Sequence, residues 1–126
     1  MRILITGDSW SQGEWGDGSL NYKFPCDAKR YQVTHRGIEQ YLLDDGYDVV
    51  NVGQGGYNNV ESFNAIKGEF DHLIFFWSDP LRQATQEELH NTTPLRIIEK
   101  HTDYYMEQLD RFPLVTLIGG CAKINY

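Results

Sequence analysis

The chain has 126 residues, 40% of them hydrophobic and 23% charged, so it is long enough to bury one core and too apolar to stay disordered. A net charge of -7 and a pI near 4.9 exclude a general affinity for nucleic acid, whose phosphates select a basic face. No apolar run approaches the length of a membrane span, and the N-terminus lacks the basic stretch, long apolar core and cleavage site of a signal peptide; a cytoplasmic protein is expected. Cys26 and Cys121 are the only cysteines, and their wide separation fits two reduced thiols rather than a metal motif.

No repeat, linker or low-complexity tract divides the sequence, so residues 1–126 read as a single domain. "RILIT", Arg2–Thr6, is a continuous apolar run of strand length, the pattern of a strand buried on both faces. Residues 10–32 are polar and aromatic, with glycines and Pro25, and read as a long excursion. A helix is expected over about 34–45, with Val33, Ile38, Tyr41 and Leu42 on its apolar face and Gly46 at its stop. "YDVVNV", residues 47–52, is the second strand and ends in the glycine cluster "GQGG".

Asn58 stands three residues before Glu61, a capping box for a helix that carries Val60, Phe63, Ile66 and Phe70 at helical spacing. "HLIFFW", His72–Trp77, is a third strand without polar alternation, broken by Asp79-Pro80. After a polar stretch, Thr93-Pro94 starts the last helix, with proline at the first helical position. Leu95, Ile98, Tyr105, Leu109 and Phe112 form its stripe, Pro113 closes it, and residues 114–119 make the fourth strand.

The order β-α-β-α-β-α-β, with strands apolar on both faces, predicts an α/β protein with a parallel sheet covered by helices and right-handed crossovers. Functional loops in such a sheet lie beyond the carboxyl ends of the strands, near the point where strand order reverses. The three unusual loops, "GDSWSQGEW", "GQGGYNN" and "SDPLR", each follow a strand, so they are expected to meet on one edge.

Those loops, in that order, resemble the SGNH (GDSL-type) hydrolases, serine esterases and acyl hydrolases on a flavodoxin-like three-layer α/β/α fold. Gly7-Asp8-Ser9 matches the first family block, and "NVGQGG", with Asn51, Gly53 and Gly56, matches the second. In the third block, usually Gly-x-Asn-Asp, this chain has "WSDP": Trp77 replaces the glycine and Asp79 occupies the asparagine position. A Trp/Ser-Asp-Pro stretch followed by arginine is similar to phage-encoded members. The final block, Asp-x-x-His after a fifth strand, has no counterpart before Tyr126; about four strands are expected, and the resemblance spans the first two-thirds of a family domain.

The resemblance implies an ester hydrolase acting through an acyl-serine, on a small ester such as an O-acetylated glycan, without a cofactor or metal. The chemistry asks for the same residues. A serine hydroxyl is a weak nucleophile until a base takes its proton, and Ser9 at a strand end exposes its oxygen. Backbone N–H groups of Ser9 and Gly56 would face the developing oxyanion. A side-chain amide normally gives the third donor; losing one costs about 3–4 kcal/mol, and an ionised Asp79 would repel the oxyanion unless turned away, for instance toward Arg82. Of His35, His72, His90 and His101, only His90 lies in a loop on the functional edge, which makes it the candidate base. Trp10, Trp15, Asn58 and Arg82 are the candidate substrate-binding residues, and Tyr22 and Phe24 extend the aromatic set.

Plainer readings stand beside these. Gly-Asp-Ser also makes an ordinary turn, loop aromatics also pin loops to a core, and Asp8 reads as a scaffold for its loop. "GQGG" lacks full dinucleotide spacing and follows the wrong strand, which leaves a flavin or nucleotide binder as a third class. The acids at 44, 45, 87 and 88 read as solvated surface. A non-catalytic module is the main rival. The fourth strand would then be an open apolar edge, predicting a homodimer or a complex with a complementary fragment.

Overall fold

The computed structural model describes residues 1–17 and 31–119. Strand β1 (Arg2–Thr6) is followed by a 3-10 turn (Ser9–Gln12) and by two short strands, β2 (Glu14–Asp17) and β3 (Tyr31–His35). Helix α1 (Ile38–Asp44), strand β4 (Asp48–Asn51) and helix α2 (Asn59–Asn64) come next. Strand β5 (His72–Trp77), a second 3-10 turn (Pro80–Gln83), helices α3 (Gln86–Asn91) and α4 (Pro94–Leu109), and strand β6 (Val115–Gly119) complete the order.

The main sheet has four strands in the order β4-β1-β5-β6, and every pairing in it is parallel. Alternation along each strand sends side chains to opposite faces. Leu4, Leu73, Phe75 and Trp77 meet Tyr105, Met106 and Leu109 of α4, with Val60 and Phe63 of α2 beside them. Ile3, Ile5 and Ile74 point the other way, where Ile38 and Leu42 of α1 pack. Helices therefore cover both faces, and the strands read as unbroken apolar runs because neither face is wet.

Several local expectations shift. Residues 31–35 are a strand rather than the start of a helix: β3 pairs antiparallel with β2, with an irregular register between Glu14 and Trp15. Helix α1 begins only at Ile38, and Tyr41 points outward, 63% exposed. Helix α4 is rotated relative to its expected stripe: Leu95 is exposed, while Ile97, Thr102, Tyr105, Met106 and Leu109 are buried. The polar stretch before it holds α3, opened by a capping box between Thr85 and Glu88. Asn58 caps α2 as expected, and Thr93 caps α4 with Pro94 in its first turn.

Candidate functional site

The loops after β1, β4 and β5 meet at the carboxyl rim of the sheet. Strand order reverses there, because the chain leaves β1 for β4 on one side and returns past β1 to β5 on the other. Gly7 ends β1, and Asp8, itself buried, caps the 3-10 turn: its Oδ1 accepts the Trp10 N–H at 3.0 Å. The Asp8 carbonyl accepts both the Ser11 N–H at 3.0 Å and the Ser11 hydroxyl at 2.6 Å. Ser9 is thus the first residue of a short, well-tied turn, half-buried at the rim. Asp8 acts as the loop scaffold the sequence suggested.

The second loop lies against this turn. The Gln54 N–H donates to the Gly7 carbonyl at 3.0 Å. The Asn51 amide donates to the Ser11 carbonyl at 2.8 Å and to Glu39 at 3.1 Å, while its oxygen accepts the Gly53 N–H at 3.0 Å. Position 53 has no room for a side chain: a Cβ there would overlap the Ser11 Oγ and lie 3.0 Å from the Gly7 backbone. Gly56, further along, is exposed at φ +87°, and a Cβ on it would meet nothing within 4 Å. Among the described residues the Gly56 N–H has no acceptor.

The third loop is held by a residue that sequence reasoning passed over. Asn59 is fully buried, donates to the Ser78 carbonyl at 2.7 Å and accepts the Ser78 N–H at 2.8 Å. Only its helical N-cap neighbour, Asn58, carried a sequence signal, and Asn58 uses its side chain as the cap. Asp79 caps the following 3-10 turn by accepting the Leu81 N–H at 2.9 Å. Among the described residues the Arg82 side chain does not pair with Asp79. It donates to the Gly56 carbonyl at 3.0 Å and faces Asp8 Oδ2 at 3.6 Å.

A cleft of about 880 Å³ opens beside this turn on the α1 side, within the usual size range of ligand sites. Among the described residues Ser9, Trp10, Gly13, Gly37, Ile38, Phe76 and Ile118 line it. Trp10 is 56% exposed there. Gly56 and Arg82 are not in the lining; Arg82 and Asp8 connect them to the Ser9 turn. Trp15 enters β2, its backbone opposite Val33. Tyr22, Phe24, Cys26 and Cys121 lie outside the described residues.

The histidines are distributed over the molecule. His35 Nδ1 accepts the Gly37 N–H at 2.9 Å, and His72 Nε2 lies 2.7 Å from the Thr116 hydroxyl. His90 is exposed in the last turn of α3, and its side chain makes no hydrogen bond or ion pair among the described residues. His101, which sequence reasoning left unassigned in mid-helix, places Nε2 3.2 Å from Glu88 and Nδ1 3.5 Å from the Gln83 amide. The Gln83 oxygen in turn accepts the Asn59 N–H at 3.2 Å. Glu88 is therefore not simple solvated surface. The Thr85 backbone N–H, with Lys100 and His101 nearby, holds its carboxyl below the ordinary carboxylate range. The signal for this pair was the Thr85-x-x-Glu88 spacing of a capping box.

Among the described residues no group of three or more His, Cys, Asp or Glu is placed to hold a metal ion, and no helix is long and apolar enough to cross a membrane. No family model, curated protein or solved structure matches the chain.

Proposed function

We propose that the chain is a serine ester hydrolase of the SGNH (GDSL) type, acting on a small ester such as an O-acetylated glycan through an acyl-Ser9 intermediate. One observation carries the reading. A serine opening a tied turn at the end of a central strand shares its rim with a glycine whose N–H is uncommitted and whose surroundings are open. The strand order supports it too, since β4-β1-β5-β6 reproduces the first four places of the flavodoxin-like order.

On this reading the Ser9 oxygen attacks the ester carbonyl and gives its proton to a base, and the alcohol leaves from a tetrahedral intermediate whose oxyanion faces backbone N–H groups. Water then releases the acid and restores Ser9. Asp79 contributes no donor, because its carboxylate serves as an acceptor in the cap. His35, His72 and His101 bond Gly37, Thr116 and Glu88, and the base on this reading is His90 or a group brought by further polypeptide. A fluorophosphonate probe read by intact mass tests the proposal. One adduct is expected on the wild-type chain and none on Ser9→Ala, and a wild-type chain that takes no label overturns it.

The hydrogen bonds of His35, His72 and His101 to Gly37, Thr116 and Glu88 favour a second reading, a non-catalytic binding or structural module. Such a module would meet a second copy or a complementary fragment through β6, which pairs only with β5 among the described strands. It would ignore the probe and keep its binding in Ser9→Ala.

A further inference from the structure

We infer that Arg82 is a positioning residue, which sets the Gly56 loop against the Ser9 turn and so fixes the distance between nucleophile and oxyanion donor. The inference rests on the hydrolase reading and adds to it a residue that reaches neither the reacting serine nor the cleft.

Arg82 belongs to the third rim loop, yet both of its contacts lie on the other two. Nη2 donates to the Gly56 carbonyl at 3.0 Å, and Nη1 stands 3.6 Å from Asp8 Oδ2. At the far ends of those contacts sit the two groups that matter. The peptide joining Gly56 to Tyr57 is held at its oxygen by Arg82 and at its nitrogen by the Gln54 carbonyl, at 3.1 Å. Among the described residues, that leaves the preceding Gly56 N–H as the donor without an acceptor. Asp8 uses its other oxygen to hold the Trp10 N–H, one residue beyond Ser9. The Asp8 side chain is 11% exposed and that of Arg82 is 41% exposed, so the acid is the sheltered partner.

A planar fork can address a carbonyl and a carboxylate at once; an ammonium group is a single point of charge. Gly56 at φ +87° has no side chain to wedge its loop; the Gln54 N–H on the Gly7 carbonyl ties the start of the loop, and Arg82 holds the Gly56 peptide itself. Misplacing one catalytic group by about an ångström costs about 100-fold in rate.

The test measures fluorophosphonate labelling rates of Ser9 in wild type, R82A and R82K, together with amide exchange at Trp10 and Tyr57. R82A is expected to label about 10- to 100-fold more slowly and R82K to fall between. Millimolar guanidinium should restore much of the R82A rate, an effect that loss of general stability would not produce. Exchange at both amides should rise in R82A. If wild type and R82A label equally fast, the inference is overturned while the hydrolase reading stands. It is overturned in the same way if guanidinium restores nothing and exchange is unchanged. If wild type takes no label, the hydrolase reading falls and this inference with it.

Discussion

Asn59 offers the sharpest physical test of how the rim is built. Its side chain makes both hydrogen bonds available to a peptide-like partner, at 2.7 and 2.8 Å, with the backbone of Ser78, and all of it is out of contact with solvent. Asn59→Ala strands a buried N–H and a buried C=O at Ser78. Each orphan costs about 1–3 kcal/mol, so the variant is expected to lose about 2–6 kcal/mol. That is a large share of the about 5–15 kcal/mol that holds a domain of this kind. Asn59→Asp changes one atom group and separates the two bonds. The introduced carboxyl can still accept the Ser78 N–H, but when ionised it sets an oxygen against the Ser78 carbonyl. Burial and that carbonyl both favour its neutral form, so its folded pKa lies above the unfolded value of about 3.9. Its stability is therefore full below the unfolded pKa and lost as pH rises through the folded one. Urea unfolding followed by circular dichroism should show Asn59→Asp closer to wild type near about pH 4 than at neutrality. Ser78→Ala is the control: among the described residues the hydroxyl is buried without a hydrogen-bond partner, and its removal leaves the backbone pair intact, so a change under about 0.5 kcal/mol is expected. If Asn59→Ala stays within that margin, or the Asn59→Asp gap ignores pH, the pair does not hold the loop and the reasoning fails.

Glu88 gives a prediction of opposite sign. Its folded pKa is lowered, so its contribution is present above its ordinary value of 4.5 and lost as pH falls through the folded value; Glu88→Gln should flatten the acid limb of the stability profile measured by urea midpoints. The excursion between β1 and α1 closes at its base, since a Cβ on Gly37 would lie only 3.1 Å from the Gly13 α-carbon. A chain with residues 14–36 excised and Gly13 joined to Gly37 is expected to keep the four-stranded fold and a cooperative urea transition, because the join spans about one peptide step; a chain without that transition refutes the closure.

The four strands of the main sheet were legible because each carries an apolar run of strand length, even where Asp48 and Thr116 face solvent on the outer strands. The caps of α2 and α4 were legible because Asn58, Glu61, Thr93 and Pro94 act within one turn of chain. What escaped depends on partners far away in sequence. Strand β2 carries no alternating pattern, β3 alternates only over Tyr31–Thr34 beside a helix-like stretch, and their pairing joins 14–17 to 31–35 across the excursion. The phase of α4 was misjudged because Thr102 and Met106 are buried by tertiary contact, while the more apolar Leu95 is exposed. At the site, the meeting of three loops followed from topology, and the scaffolding role of Asp8 from local turn chemistry. Arg82's choice of Asp8 over Asp79 did not. It depends on where the third loop carries Arg82 relative to the other two loops, which composition does not carry.

A single rule connects these misses. Below the rim the molecule is held by apolar side chains, and any residue of similar size and greasiness announces itself by periodicity. At the rim the holding is done by polar side chains that reach to the backbone of a different loop: Asn51 to Ser11, Asn59 to Ser78, Arg82 to Gly56, and just beneath them Thr6 to the Ser62 carbonyl at 2.6 Å. Backbone acceptors are present at every position, so nothing in the sequence marks which one is used. This division lets Ser9 stay half-exposed on a turn that is nevertheless fixed. A turn held by apolar packing would have to bury its residues, and the hydroxyl proposed as the nucleophile would be lost in the process.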